Sequence, residues 1–298
     1  GAAGGYMTHT TVLLTETVEG LNLKKSSTAI DATVGVGGHA ALLAEAVGER
    51  GTVVLIDADP NSLAAAREHL KGSAANLIYL NGNFRNLKAL AAEAGIAKAD
   101  GIVFDLGWHA GQLGSGKGFS FMADEPLLMT LGTGREGLTA RDIIADWDEV
   151  DIAHMIREYG EERFADRIAR AIVEARKKTA INTTAQLVTV IESVVKRSGR
   201  IHPATKTFQA LRIAVNDELE ALKEGIAAAI DIAAPGGRIA VISFHSLEDR
   251  IVKQAFRMAE DAGVGMRITK KPLTPGSAER TSNPRSRSAK LRIFEKGN

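Results

Sequence analysis

The sequence predicts an α/β fold: a parallel sheet with helices on both faces, interrupted by a helical insertion domain. Three observations predict it. Short apolar runs alternate with helical periodicity from residue 29 to 106, the pattern of a sheet covered on both sides. The alternation stops after Leu113 in favour of a mostly helical stretch. It resumes with one more buried run at 238–244.

Taken in order, 29–34 is an apolar run ending in glycines, hence a strand feeding a turn, and 39–47 carries Ala and Leu at helical spacing. A second strand at 52–56 precedes Asp59-Pro60, which opens a helix through Leu70 with proline in the first turn. A third strand at 77–80, a helix at 87–94 and a fourth strand at 101–106 follow. A glycine-rich loop at 114–118 leads into helices over 138–196. The Ala/Leu/Glu-rich run 208–234 reads as one long helix ending at Pro235-Gly236-Gly237. After the strand at 238–244 a helix starts at Leu247, and 266–270 with 289–295 alternate as a closing hairpin. The expected organisation is 7–112 as the first part of the sheet domain, 113–206 as the insertion, and 207–298 as the second part with a basic C-terminal segment.

The chain has 298 residues, 45% hydrophobic and 24% charged, an ordinary globular composition. Without cysteine it has no disulfide, no thiolate metal site and no cysteine nucleophile. No metal site is expected. No apolar run reaches the roughly 18 residues of a membrane span, and no secretory signal opens the chain. Gly1 to Tyr6, before Met7, reads as a tag remnant and is left out of fold reasoning. The expectation is a cytoplasmic protein with no membrane partner. The net charge of +1 hides an uneven distribution: residues 264–298 hold nine Lys/Arg against two Glu, leaving the rest mildly acidic. A basic tail of this kind suits a polyanion, or simply a solvated charge run.

The first strand–helix junction carries Asp31-Ala-Thr-Val-Gly35-Val-Gly37-Gly38-His39. Glycines there permit a sharp turn and close approach of a ligand to the main chain. Asp57, 20 residues past Gly37 at the end of the second strand, is placed for ribose hydroxyls. A G-x-G-x-x-A spacing leaves NAD as an alternative. Three features favour S-adenosylmethionine. Asp31 suits the cofactor's amino-acid portion better than a pyrophosphate. Asp105 ends the fourth strand, and Phe84 follows the third as a wall for adenine.

Long motifs sharpen the reading: Asp31 to His39, Lys117-Gly-Phe-Ser-Phe121, Tyr159-Gly-Glu-Glu-Arg163, His202-Pro-Ala-Thr-Lys-Thr-Phe-Gln-Ala-Leu-Arg212, Val241-Ile-Ser-Phe-His-Ser-Leu-Glu-Asp-Arg250 and Asn283-Pro-Arg-Ser-Arg-Ser288. Together they resemble the RsmH (MraW) family of methyltransferases, which act on cytosine N4 of 16S rRNA at the decoding centre using S-adenosylmethionine. The resemblance implies a Rossmann-like class I methyltransferase sheet with a helical insertion that recognises substrate. It implies cofactor contacts at Gly37, Gly38, His39, Asp57, Phe84, Asp105 and Gln112, beside Asp31 and Gly35 of the turn. The chain departs from the family's pattern at Trp108-His109-Ala110-Gly111, where Val-Ser-Ser-Pro is usual, and at residues 126–132, where two acids and a base are missing.

The cytosine amine is a weak nucleophile, so positioning and a proton acceptor dominate the chemistry. Asp105 is the first candidate, as acceptor or cofactor anchor, and His109 is the candidate base. Ser243 and His245 end the fifth strand and are candidates to line the base pocket. Trp108 and Phe119 are candidates to stack on a base splayed from its helix. Lys206, Arg212, Arg285 and Arg287 are candidates for phosphates. Arg163, Arg167 and Arg170 recur at helical spacing, and a salt-bridged face with Glu161, Glu162 and Asp166 is the simpler reading. The expected partner is small-subunit rRNA or the 30S subunit, with a homodimer left open. A methyltransferase with an altered RNA target, and a catalytically impaired cofactor- and RNA-binding homologue, are the alternatives.

Overall fold

The computed structural model describes residues 11–35, 37–107, 116–131 and 137–298, without the side chain of Arg285. The chain forms two compact units, one from residues up to 107 with 219–298, the other from 108–218.

The first unit is built on β1 (Thr28–Asp31), β2 (Thr52–Asp57), β3 (Asn76–Asn81), β4 (Ala99–Asp105), β5 (Ala233–Ser243), β6 (Gly265–Arg267) and β7 (Lys290–Lys296). Their order is β3-β2-β1-β4-β5-β7-β6. The first five run parallel, and β7 enters antiparallel beside β5, with Arg238 opposite Glu295 and Ser243 opposite Lys290. The sheet is apolar on both faces because helices cover both. Val53, Leu55 and Val103 pack on one side with Leu43, while Ile30, Val54, Ile102 and Phe104 pack on the other with Ile226. Consecutive strand residues point to opposite faces, which is why these strands read as unbroken apolar runs.

What positions the site is where the apolar runs end. β1, β2, β4 and β5 terminate on Asp31, Asp57, Asp105 and Ser243, so polar side chains collect at the carboxyl edge, where ligands of open α/β sheets bind.

The second unit holds the helices Ala140–Asp146, Glu149–Gly160, Ala165–Arg176, Thr184–Glu192 and Thr205–Asn216 around a core that includes Leu127, Ile143, Ile156, Ile168 and Leu211. Two of these helices start at capping boxes, Thr139 with Asp142 and Thr183 with Gln186.

One expectation is corrected. The run 208–234 is two helices, Thr205–Asn216 and Glu218–Ile232, broken at Asp217 with φ 50°. Tertiary hydrogen bonds override its helix propensity. Asn216 Nδ2 donates to the carbonyls of Met129 and Arg212, and its Oδ1 accepts the Leu131 N–H at 2.8 Å. The break leaves Thr205–Asn216 with the helical unit, so the division falls after residue 218, not after 206. The helix Leu14–Gly20, unread in the sequence, also belongs to the sheet unit.

Candidate functional site

The turn after β1 is held by two acids and one threonine. Gly35 (φ 55°) and Gly37 (φ 88°) take left-handed conformations that other residues avoid. Asp57 Oδ2 accepts the Gly35 N–H at 2.9 Å, and its Oδ1 accepts the Asp59 N–H at 2.9 Å. The ribose candidate therefore also fixes the glycine turn. Thr33 Oγ1 accepts the Asp105 N–H at 2.6 Å, tying the end of β1 to the end of β4. Sequence reasoning passed over Thr33, although it is the T of the D-x-T-x-G-x-G motif.

Asp31 is 1% exposed. Its Oδ1 accepts the Thr33 N–H at 3.1 Å, and its Oδ2 has no hydrogen-bond partner among the described residues. Burial raises its pKa to about 7, against the lowering by the Thr33 N–H, and the negative charge of Asp57 adds to the rise. His39, on the first turn of the helix Gly38–Val47, is equally buried. Desolvation lowers its pKa to about 4, so it is neutral at pH 7. Its Nδ1 lies 3.5 Å from Asp105 Oδ2, a dipolar contact and not an ion pair at that pH, and its Nε2 is without a partner among the described residues. Buried polar atoms without partners are rare, and here two of them flank the glycine-containing connection between β1 and the helix Gly38–Val47.

Phe84 begins the short turn after β3 and meets Phe104 edge-on at 5.5 Å between ring centroids, leaving it half-buried beside the same edge. Ser243 is buried at the end of β5.

Several expected substrate residues have other employment. His245 caps the helix Ser246–Asp261, its Nδ1 accepting the Glu248 N–H at 3.5 Å. Its Nε2 lies 3.3 Å from Glu248 Oε2 without hydrogen-bond alignment. That is the role of a structural turn residue, not of an open base pocket. Phe119 is corrected from stacking platform to core: it is 7% exposed and belongs to the apolar cluster of the helical unit, where no base can reach its face. Arg212 is corrected from phosphate contact to internal ion pair, its Nε 3.2 Å from Glu218 Oε1 with the side chain 11% exposed. Lys206 is half-buried and Arg287 exposed. Trp108, His109 and Gln112 lie outside the described residues, as does the side chain of Arg285.

Part of the basic tail is also committed. Arg292 makes a two-pronged pair with Asp249, at 2.7 and 3.1 Å, both side chains being buried. Arg267 pairs with Glu260 at 3.2 Å, and Lys296 Nζ donates to the carbonyl of Ile230 at 2.5 Å. These charges fasten β6 and β7 within the sheet unit, while Lys270, Lys271, Arg280 and Arg287 stay exposed.

With this geometry in view, the comparisons decide the family. The profile described as the MraW methylase family matches residues 6–297. The chain belongs to the MraW methylase family. A protein of Brevibacillus brevis named ribosomal RNA small subunit methyltransferase H is 43% identical over 97% of this chain and 98% of its own length. One of the same name from Symbiobacterium thermophilum is 44% identical over 97% of this chain and 96% of its own. A solved SAM-dependent O-methyltransferase from Thermotoga maritima is a distant structural match, with TM-score 0.46 and 11% identity over 98% of this chain and 69% of that one.

MraW methylases draw their methyl group from S-adenosylmethionine, and the residues present fit it. The cofactor's amino-acid end carries an ammonium group. A buried carboxylate with an unused acceptor oxygen, Asp31, is the partner such a cation requires. No helix among the described residues is long and apolar enough to cross a membrane, and no cluster there could hold a metal ion.

Proposed function

We propose that this MraW methylase transfers a methyl group from S-adenosylmethionine to the exocyclic N4 of a cytosine in small-subunit (16S) rRNA, at the decoding centre. The observation that carries the reading is the end-to-end match, residues 6–297, to a methylase family whose relatives are named for small-subunit rRNA.

The cofactor supplies an electrophilic methyl on a sulfonium. Asp31 holds the ammonium end, the main chain of the turn at Gly35, Gly37 and Gly38, with His39, lies against the cofactor, and Asp57 takes the ribose while fixing Gly35. Phe84 supports the adenine side, with Gln112 completing the set. Asp105 is the anchor nearest the reacting end: its backbone is fixed by Thr33, and its carboxylate is 3.5 Å from a neutral His39. A carboxylate there accepts an N–H of the cytosine amine, which localises the nitrogen lone pair for attack. His109 is the proposed proton acceptor, with Trp108 and Ser243 bordering the base.

Asp57→Ala tests the cofactor half. It should weaken S-adenosylmethionine binding by about 1.5–3 kcal/mol, the scale of a charge-assisted hydrogen bond. It should also lower thermal stability, because the Gly35 and Asp59 N–H groups lose their acceptor. Unchanged calorimetric affinity removes Asp57 from the site. Transfer of labelled methyl to 30S subunits, followed by nucleoside analysis, tests the whole reading.

The protein acts in the cytoplasm on 30S subunits. A homodimer is supported by apolar side chains exposed around the edge strand, Met266, Ile268 and Leu273. Sedimentation of a monomer at micromolar concentration would remove it.

A further inference from the structure

Arginines at 163, 167 and 170 read in sequence as laced to the acids beside them; among the described residues none of the three makes such a pair. Glu162 is buried and accepts the Phe164 N–H at 3.1 Å, and Asp166 pairs with Arg157. Arg163 and Arg167 instead set their guanidinium carbons 4.5 and 4.9 Å from the centre of the Phe164 ring, one ring serving two cations. Arg167 then reaches the carbonyl of Val194 at 3.4 Å, which joins this pair to the segment 194–200.

That segment is itself unusual. From Ser193 to Asn216 the chain has no Asp or Glu, and Lys196, Arg197 and Arg200 are all exposed. None of these three makes an ion pair among the described residues, nor do Arg163 and Arg167. Arg163 and Arg167 are thus held by a ring, and Arg167 by the carbonyl of Val194, next to the segment that carries Lys196, Arg197 and Arg200, with no ion pair to any of the five among the described residues. Like charges gathered without acids repel one another, and the arrangement is stabilised when a polyanion covers them. Guanidinium groups pre-set on a ring present N–H donors with little freedom left to lose, which suits phosphate oxygens.

We infer that Arg163, Arg167, Lys196, Arg197 and Arg200 form a phosphate-backbone contact surface for single-stranded RNA on the helical unit. This deepens the proposed rRNA function and rests on it. The surface replaces Arg212, which is internally paired, and the committed part of the basic tail as the source of electrostatic affinity. It carries no base readout of its own: its contribution is register and on-rate.

The test uses the full-length protein, a fluorescein-labelled 20-nucleotide RNA of mixed sequence, and purified 30S subunits. The triple variant Lys196→Gln/Arg197→Gln/Arg200→Gln changes only exposed side chains, so it keeps the fold, to be checked by circular dichroism. Affinity should fall about tenfold or more at 0.15 M salt. The slope of log K against log salt should shrink by about 2, since each phosphate contact on a single strand contributes about 0.7. S-adenosylmethionine affinity by calorimetry should not change. Arg163→Gln/Arg167→Gln should act in the same direction, and Lys270→Gln/Lys271→Gln, on the other unit, should leave the slope as it is.

An unchanged slope in the triple variant, with wild type methylating 30S subunits normally, overturns the surface and leaves the proposed function standing. Wild type that neither binds the RNA nor methylates subunits overturns both. Binding of polyglutamate with the same slope, and of RNA with none, assigns the surface to an acidic protein and overturns it as an RNA site.

Discussion

Asp31→Asn is expected to make the ligand-free protein more stable and the enzyme worse. Its folded pKa of about 7 stands above the ordinary aspartate value of 3.8. The folded state therefore keeps a proton that the unfolded chain has released between those two values. The stabilising contribution of this group is fully present below pH 3.8, is lost progressively as pH rises, and is gone above pH 7. Above pH 7 the ionised, buried carboxylate costs on the order of 4 kcal/mol. An uncharged amide removes that cost. Thermal unfolding at pH 8 should show the variant higher by several degrees, with the difference closing toward pH 4. S-adenosylmethionine affinity should fall 10- to 150-fold, about 1.5–3 kcal/mol. Wild-type affinity should rise from pH 6 to 8 as Asp31 ionises, and the variant's should be flat. A variant that binds the cofactor as tightly as wild type, or is less stable at pH 8 than at pH 5 by the wild-type margin, refutes the role given to Asp31.

The second large effect lies in the closing strands. Arg292→Met removes the partner of a buried carboxylate, Asp249, leaving an uncompensated charge with Lys290 at 3.8 Å as its remaining neighbour. Breaking a buried pair in this way costs about 3–5 kcal/mol. Urea unfolding should show a free energy lower by that amount, as a lower midpoint with an unchanged slope. The double variant Asp249→Leu/Arg292→Met should recover most of the loss, because the desolvation cost leaves with the charges. If the single variant loses less than 1 kcal/mol, on the same scale, the pair is not what holds β7 against the helix Ser246–Asp261.

The sheet was legible because its strands are apolar on both faces and end in glycine or acid, a signal carried by each run alone. The acidic edge of the sheet was legible for the same reason: Asp31, Asp57 and Asp105 sit where apolar runs stop. What could not be read was pairing. Nothing in residues 208–234 marks the break at Asp217, because it is imposed by Asn216 bonding to Met129 and Leu131, more than 80 positions away. Arg212 and Arg292 look like free cations until Glu218 and Asp249 fold against them. Phe119 looks like a platform until the helical core closes over it. In the other direction, Arg163 and Arg167 sit among acids in sequence but contact the Phe164 ring instead of pairing with an acid among the described residues.

The account stands most directly on one measurement: incubation of the purified protein with methyl-labelled S-adenosylmethionine and 30S subunits from cells lacking this modification, then digestion to nucleosides. The account predicts label in N4-methylcytidine, in about one nucleoside per subunit on the order of full occupancy, and its loss in Asp105→Ala. Label in another nucleoside, or none in any subunit or assembly intermediate while the cofactor binds, contradicts it.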